Sequence, residues 1–164
     1  MQFHFMLIEE ADARAIMAWR YEGQYAIYNW EGEDDPTEML DRRSPHYAVK
    51  DEHGELVGFF AYGSSAYVWD GGEPHLYSEQ NTITIGLGMR PDLTGKGWGL
   101  AFTLAGLDFA REHFRPDYFR LYVLDFNERA IRVYERAGFE RTGIYTQVNP
   151  IFGSRNFVEM KRRA

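Results

Sequence analysis

Gly86-Leu87-Gly88-Met89-Arg90-Pro91-Asp92-Leu93-Thr94-Gly95-Lys96-Gly97-Trp98-Gly99-Leu100 is the stretch on which the reading of this chain turns. It joins a strand-like run, Asn81 to Met89, to a helical run, Gly97 to Phe114, and Gly95, Gly97 and Gly99 alternate through the join. Glycine lets a ligand approach the backbone without a Cβ in the way and allows positive φ. Successive N–H groups at a helix start form an anion cradle that the helix dipole reinforces, so a phosphate-bearing ligand suits this turn. Two known phosphate motifs fail here. Lys96 is followed by Gly97, so no hydroxyl is placed for magnesium as in a P-loop. The dinucleotide fingerprint would need a third glycine at Pro91 or at Leu100. Gly86 and Gly88 lie on one face of the strand by period two, and glycine inside a strand marks a bulge or a close neighbour. A strand opened there offers N–H and C=O groups to an amide-containing ligand lying alongside it.

Working outward, 164 residues without cysteine fit one domain, 1–164, with no disulfide framework, cysteine–zinc cluster or thiolate nucleophile. Apolar residues at 45% and aromatics at 16% are too many for a disordered chain. Eighteen Lys and Arg against 25 Asp and Glu give −7, which argues against a nucleic-acid partner and leans toward a cationic or neutral one. Met1 to Ile8 lacks the basic start and long apolar stretch of a secretory signal. No apolar run approaches the roughly 20 residues that span a bilayer. A cytoplasmic protein with no membrane partner is expected.

The periodicity predicts a strand over 2–8 and a helix from Glu9 to Arg20, carrying Ala11, Ala15, Ile16 and Trp19. The aromatic segment Tyr21 to Trp30 and the acidic loop Glu31 to Asp35 follow, then a short helix from Pro36 to about Arg42. His46–Lys50 and Leu56–Tyr62 read as a hairpin around Asp51 to Gly54. Residues 64–80, with Asp70-Gly71-Gly72-Glu73-Pro74, read as a surface excursion. After the glycine turn and its helix come a strand over Tyr118–Leu124, a helix over Glu128–Ala137 ended by Gly138, and strands near 139–148 and 155–161. This order implies a layered α/β or α+β domain.

Together these residues resemble the acyl-CoA-binding motif of the GNAT superfamily of N-acetyltransferases, Arg/Gln-x-x-Gly-x-Gly/Ala. Gly95, Gly97 and Gly99 match in register, with Thr94 where Arg or Gln is usual. A second block, Asn127-Glu128-Arg129-Ala130-Ile131-Arg132-Val133-Tyr134-Glu135-Arg136-Ala137-Gly138-Phe139, is similar to the family's Asn-x-x-Ala-x-x-x-Tyr-x-x-x-Gly-Phe. The resemblance implies a single GNAT-like domain whose central twisted sheet, mixed but mostly antiparallel, has six to seven strands flanked by about four helices. It implies that the sheet splays at the acyl-CoA site. It further implies acetyl-CoA as co-substrate, held by the main chain of Leu87, Gly88 and Met89 and of Thr94 to Leu100 (Lys96 and Trp98 included). By the same resemblance Asn127 contacts the pantetheine arm and Tyr134 faces the sulfur. On their own, Asn127 also suits a helix N-cap and Tyr134 a core aromatic.

The implied reaction is direct transfer of an acetyl group to a primary amine of a small molecule or peptide. The alternative is an acyl-CoA-binding sensor without turnover. Tyr134 is the catalytic candidate, and a main-chain N–H near Leu87 to Met89 is the oxyanion donor. No single side chain identifies itself as the base: Glu79, Thr82 and Thr84 lie at or near the glycine-containing strand, and Glu31 and Asp70 lie in loops. Tyr25, Tyr28 and Trp30, with Tyr21 beside them, are candidates to line the acceptor pocket, and Glu79 to bind the acceptor. His4, His46, His53, His75 and His113 show no ligand pairing, so no metal is expected. Many relatives dimerise, so a homodimer is allowed, although no segment specifies its interface.

Overall fold

The computed structural model describes every residue except Glu33, Asp70, Gly71 and Phe152. Among the described residues seven strands form one sheet: β1 (His4–Leu7), β2 (His46–Lys50), β3 (Leu56–Tyr62), β4 (Thr82–Met89), β5 (Tyr118–Leu124), β6 (Glu140–Asn149) and β7 (Gly153–Arg163). Their spatial order is β1-β2-β3-β4-β5-β7-β6. Every neighbouring pair is antiparallel except β4 and β5. Parallel neighbours need a crossover, which α2 (Gly99–Phe114) supplies. The other α-helices are α1 (Glu10–Met17) and α3 (Glu128–Arg136), and four short 3-10 segments occupy the connections. The expected α/β sheet of six to seven strands, mostly antiparallel, is the one observed.

Local chemistry explains where the helices begin and end. At the start of α1 the Asp12 carboxylate accepts the Glu9 N–H at 3.4 Å, as in a capping box. Helix α2 ends at Arg115 in the left-handed region, with Pro116 next. Helix α3 gives way to Gly138 at φ +94°. The expected helix over Pro36 to Arg42 is instead a run of turns. Asp41 accepts the backbone N–H and the guanidinium of Arg43, and such local bonds compete with helix formation.

The sheet has two faces of different character. Helices α2 and α3 cover one face, where Phe60, Tyr62, Ile83, Ile85, Phe119 and Leu121 pack with Phe102 and Leu107 in the main core. Helix α1 covers the other face, with Ile8, Ala13, Ile16 and Ala48 buried and Trp19, Met39 and Phe59 packed around them. Gly106 of α2 is where the helix approaches the sheet most closely, since a Cβ there would stand 2.1 Å from the Phe60 ring. Alanine at this position gains roughly 1 kcal/mol of helix propensity, but overpacking costs roughly 1–3 kcal/mol. The steric term wins. Gly106→Ala is expected to lower the denaturant midpoint, by about 1–2 kcal/mol of stability; an unchanged midpoint would show that Phe60 repacks freely.

Candidate active site

Strand β4 pairs with β5 only through Thr82 with Tyr118, Ile83 with Phe119 and Thr84 with Arg120. Beyond Thr84 the two strands part, while β4 stays paired with β3 as far as Met89. The Gly63 N–H donates to the Thr84 carbonyl (2.8 Å) and the Arg90 N–H to Val57 (2.8 Å), so the even residues of β4 bond toward β3. Backbone groups alternate along a strand, so Leu87 and Met89 turn theirs toward β5, into the gap. The sheet is splayed at the place expected. Gly88 has a packing reason of its own: a Cβ there would lie 2.4 Å from the Phe59 ring.

The glycine turn stands at the mouth of this gap. Gly95 and Gly97 adopt φ of +70° and +84°, values that disfavour any side chain. A Cβ on Gly97 would meet nothing within 4 Å, so its surface is open. Gly99 serves packing, because a Cβ there would come within 3.2 Å of Val133 on α3. No side chain caps the start of α2, and its first N–H groups are left for another acceptor. An open, left-handed turn leading into an uncapped helix has the donor set a diphosphate needs.

Helix α3 brings the second block to the same gap. Asn127 Oδ1 accepts the Ala130 N–H (3.1 Å), making it the N-cap, while its Nδ2 donates to the Tyr28 hydroxyl (2.9 Å). Tyr134 lies about two helical turns further along α3, and burial pushes its phenol well above the ordinary range, with the nearby Tyr28 adding to the shift. Among the described residues the Tyr134 hydroxyl has no hydrogen-bond partner. One cleft of about 690 Å³ is lined by Leu87 to Met89, Thr94, Gly95, Gly97, Gly99, Leu100, Asn127 and Tyr134. Lys96 and Trp98 are not among its lining side chains; Lys96 points to solvent.

The segment from Tyr21 to Trp30 crosses the gap and is anchored on both arms. The Tyr21 hydroxyl donates to the Met89 carbonyl at 2.6 Å on the β4 side. Tyr28 is tied to Asn127 on the β5–α3 side. Asn29 closes the loop between them, accepting the Tyr21 N–H at 2.6 Å. Burial pushes the Tyr21 phenol up to about 12, again with Tyr28 contributing. Tyr25, Tyr28 and Trp30 line the cleft, and the Arg129 guanidinium lies 4.3 Å from the Tyr25 ring centre.

Other expectations are corrected. Glu79 is exposed in a 3-10 segment before β4, at the opposite end of the strand from the gap. It does not line the cleft. Thr82 and Thr84 are buried, and Thr84 accepts a hydrogen bond from Arg120 (3.0 Å), so neither faces an acceptor. Glu31 is exposed and outside the lining, and Asp70 lies outside the described residues. The carboxylates that do line the cleft among the described residues are Asp35 and Glu38. The sequence reading also missed Trp19, Met39, His46 and Phe59 as lining residues. Alternation along β2 and β3 was the available signal, for register pairs His46 with Ala61 and Ala48 with Phe59 on the α1 face. No group of three or more His, Cys, Asp or Glu among the described residues could hold a metal.

Residues 7–139 match the model of a family described as the acetyltransferase (GNAT) family. The chain belongs to that family. Over 101 residues it is 36% identical to a mycothiol acetyltransferase of Acidothermus cellulolyticus, a match covering 59% of this chain and 30% of that protein. It is 44% identical over 95 residues to a mycothiol acetyltransferase of Salinispora tropica, covering 56% of this chain and 27% of the relative. The chain thus spans less than a third of the curated relatives it matches. Among solved structures, the spermidine N-acetyltransferase of Vibrio cholerae in complex with CoA and spermine superposes with a TM-score of 0.71 at 18% identity. That superposition covers 99% of this chain and 95% of the other, and at such identity it speaks to the fold.

His46 is buried, stacks on Phe59 at 6.3 Å, and its Nδ1 has no hydrogen-bond partner among the described residues. Burial lowers its pKa from 6.5 to about 4, partly opposed by the Ser44 backbone. The folded state therefore holds a neutral imidazole. As pH falls below about 6.5 the unfolded chain takes up a proton that the folded chain refuses, and stability is lost until about pH 4. That shift corresponds to roughly 3 kcal/mol. His46→Gln should lose about that much less stability than the wild type between pH 7 and pH 4, measured by urea unfolding. Parallel pH profiles would show that His46 is not held neutral.

Proposed function

We propose that the protein transfers the acetyl group of acetyl-CoA to a primary amine of a small molecule or peptide, by direct attack on the thioester. The observation that carries this reading is a convergence. The splayed end of β4, the uncapped glycine turn before α2, and Tyr134 all border one cleft. Family membership and relatives named as acetyltransferases support the same reading.

In this reading the main chain of Thr94 to Leu100 binds the diphosphate, and the Leu87 and Met89 backbone groups pair with the amide-bearing arm along β4. Asn127 orients that arm from the β5 side. The acceptor ammonium, with an ordinary pKa of about 10, gives one proton to solvent before reaction. Its nitrogen lone pair then forms a bond to the thioester carbonyl carbon, and the main-chain N–H of Leu87 or Met89 holds the oxygen as it becomes negative. As the C–S bond breaks, the Tyr134 hydroxyl donates its proton to the departing sulfur, and the second amine proton replaces it through solvent. A phenol with a raised pKa stays protonated at neutral pH, which suits a donor. The products are an N-acetyl amide and free CoA. The proposal takes the cytoplasm as the compartment. No helix among the described residues is long and apolar enough to cross a membrane.

Tyr134→Phe removes only the hydroxyl. Turnover, followed as thiol release, is expected to fall by about 10²-fold, while CoA affinity, read as ligand-induced thermal stabilisation, stays the same. Equal turnover would take Tyr134 out of the reaction. Stabilisation by CoA with no thiol release on any amine would make the protein a binding module.

A further inference from the structure

The two sides of the cleft differ in chemistry. The glycine turn and α3 lie on the α2 side of the sheet, and the same cleft reaches the α1 face, which is the side left for the acceptor. Register places His46, Phe59, Gly86 and Gly88 on that face. Phe59 lies on Gly88, and Trp19 and His46 each stand 6.3 Å from the Phe59 ring. Met17, Trp30 and Met39 complete the wall. The acceptor would therefore meet a bank of rings and thioethers beside the part of β4 that faces the gap.

The charged side chains lining the cleft among the described residues are Asp35, Glu38, Arg129 and Arg136. Among the described residues, Asp35 and Glu38 are the carboxylates lining the cleft, and both are exposed. Every other polar side chain lining the cleft among the described residues is neutral or cationic. A chain bearing several ammonium groups would bury one without a partner, at a cost of several kcal/mol. A single ammonium drawn to the acidic rim faces no such cost, because it can shed its proton as it enters the apolar interior. Burial lowers an amine pKa and so does part of the work of a base. An aromatic body fills the wall and can stack on Phe59, Trp19 or Trp30.

We infer that the acceptor is a small primary amine with one positive charge and an aromatic or branched apolar body, and not a polyamine. This inference rests on the acetyl-transfer reading above.

The test compares kcat/KM for thiol release from acetyl-CoA with phenethylamine, tryptamine, putrescine and spermidine. The aromatic amines are expected to exceed the polyamines by at least about tenfold, the discrimination that one well-used apolar contact supplies. Met39→Glu sets a carboxylate in the apolar wall, and Met39→Gln keeps its length without charge. Met39→Glu should reduce the phenethylamine-to-spermidine ratio by about tenfold or more relative to Met39→Gln, with CoA stabilisation verifying that both variants are folded. If spermidine or putrescine is the fastest acceptor of the wild type, the acceptor class is overturned while acetyl transfer stands. An unchanged ratio in folded Met39→Glu also overturns the class, by removing this wall from the acceptor site. Thiol release that no amine accelerates overturns the transfer reading, and the acceptor class with it.

Discussion

Three residue pairs hold β4 to β5, and the site exists because the ladder stops there. This is the one parallel contact in the sheet, and its crossover is α2. A crossover that leaves the carboxyl end of one strand must start its helix beside that end. Topology alone therefore sets the α2 N-terminus, with its unbonded N–H groups, next to the place where the strands diverge. Divergence leaves the Leu87 and Met89 backbone groups facing open space, and such groups are costly to leave unmet. The Met89 carbonyl is met by the Tyr21 hydroxyl. The edge of a strand and the end of a helix, each a liability in a closed fold, here border one cleft.

The loop that satisfies Met89 also ties the two arms together. Tyr21 is fastened to β4 and Tyr28 to Asn127, while Asn127 caps α3. One side chain thus serves a helix terminus and the Tyr21–Trp30 segment at once. Its two jobs use different atoms, the carbonyl oxygen for the cap and the amide nitrogen for Tyr28, so neither competes with the other. The span of the gap and the position of the aromatic wall are coupled through this residue.

Much of the frame was legible in the sequence. The strands His46–Lys50, Leu56–Tyr62 and Tyr118–Leu124 were read to the residue, because apolar runs bounded by turn-forming residues have few other solutions. The glycine turn was legible because glycine adopts the positive φ of Gly95 and Gly97 without the steric cost a side chain brings. Glu79 shows the limit of such reading. Adjacency to β4 in sequence put it at the strand's first end, and eight extended residues separate the two ends by roughly 25 Å. Pro36 misled for another reason: it suits a first helical turn, but Asp35 and Asp41 bind their neighbours' backbones and hold the segment in turns. Met39 left no local mark, and alternation could set His46 and Phe59 on one face without showing that this face meets the cleft, which the register between strands and the packing of α1 decide.

Burial favours the neutral form of three ionisable groups that line the cleft. It keeps the imidazole of His46 unprotonated and the phenols of Tyr21 and Tyr134 protonated, and all three are neutral near pH 7. Outside this neutral zone the charges are ordered. Exposed Asp35 and Glu38 lie at one rim, and the partial positive charge of an uncapped helix start lies at the other. A cation is favoured at the first and an anion at the second, so the two proposed substrates are sorted before they meet. In the proposed reaction a nitrogen that moves from the carboxylates to the buried phenols of Tyr21 and Tyr134 does so most favourably without its proton. That is the form able to attack a carbonyl carbon, so the proposed chemistry needs from the protein an apolar passage of the right shape more than a dedicated base.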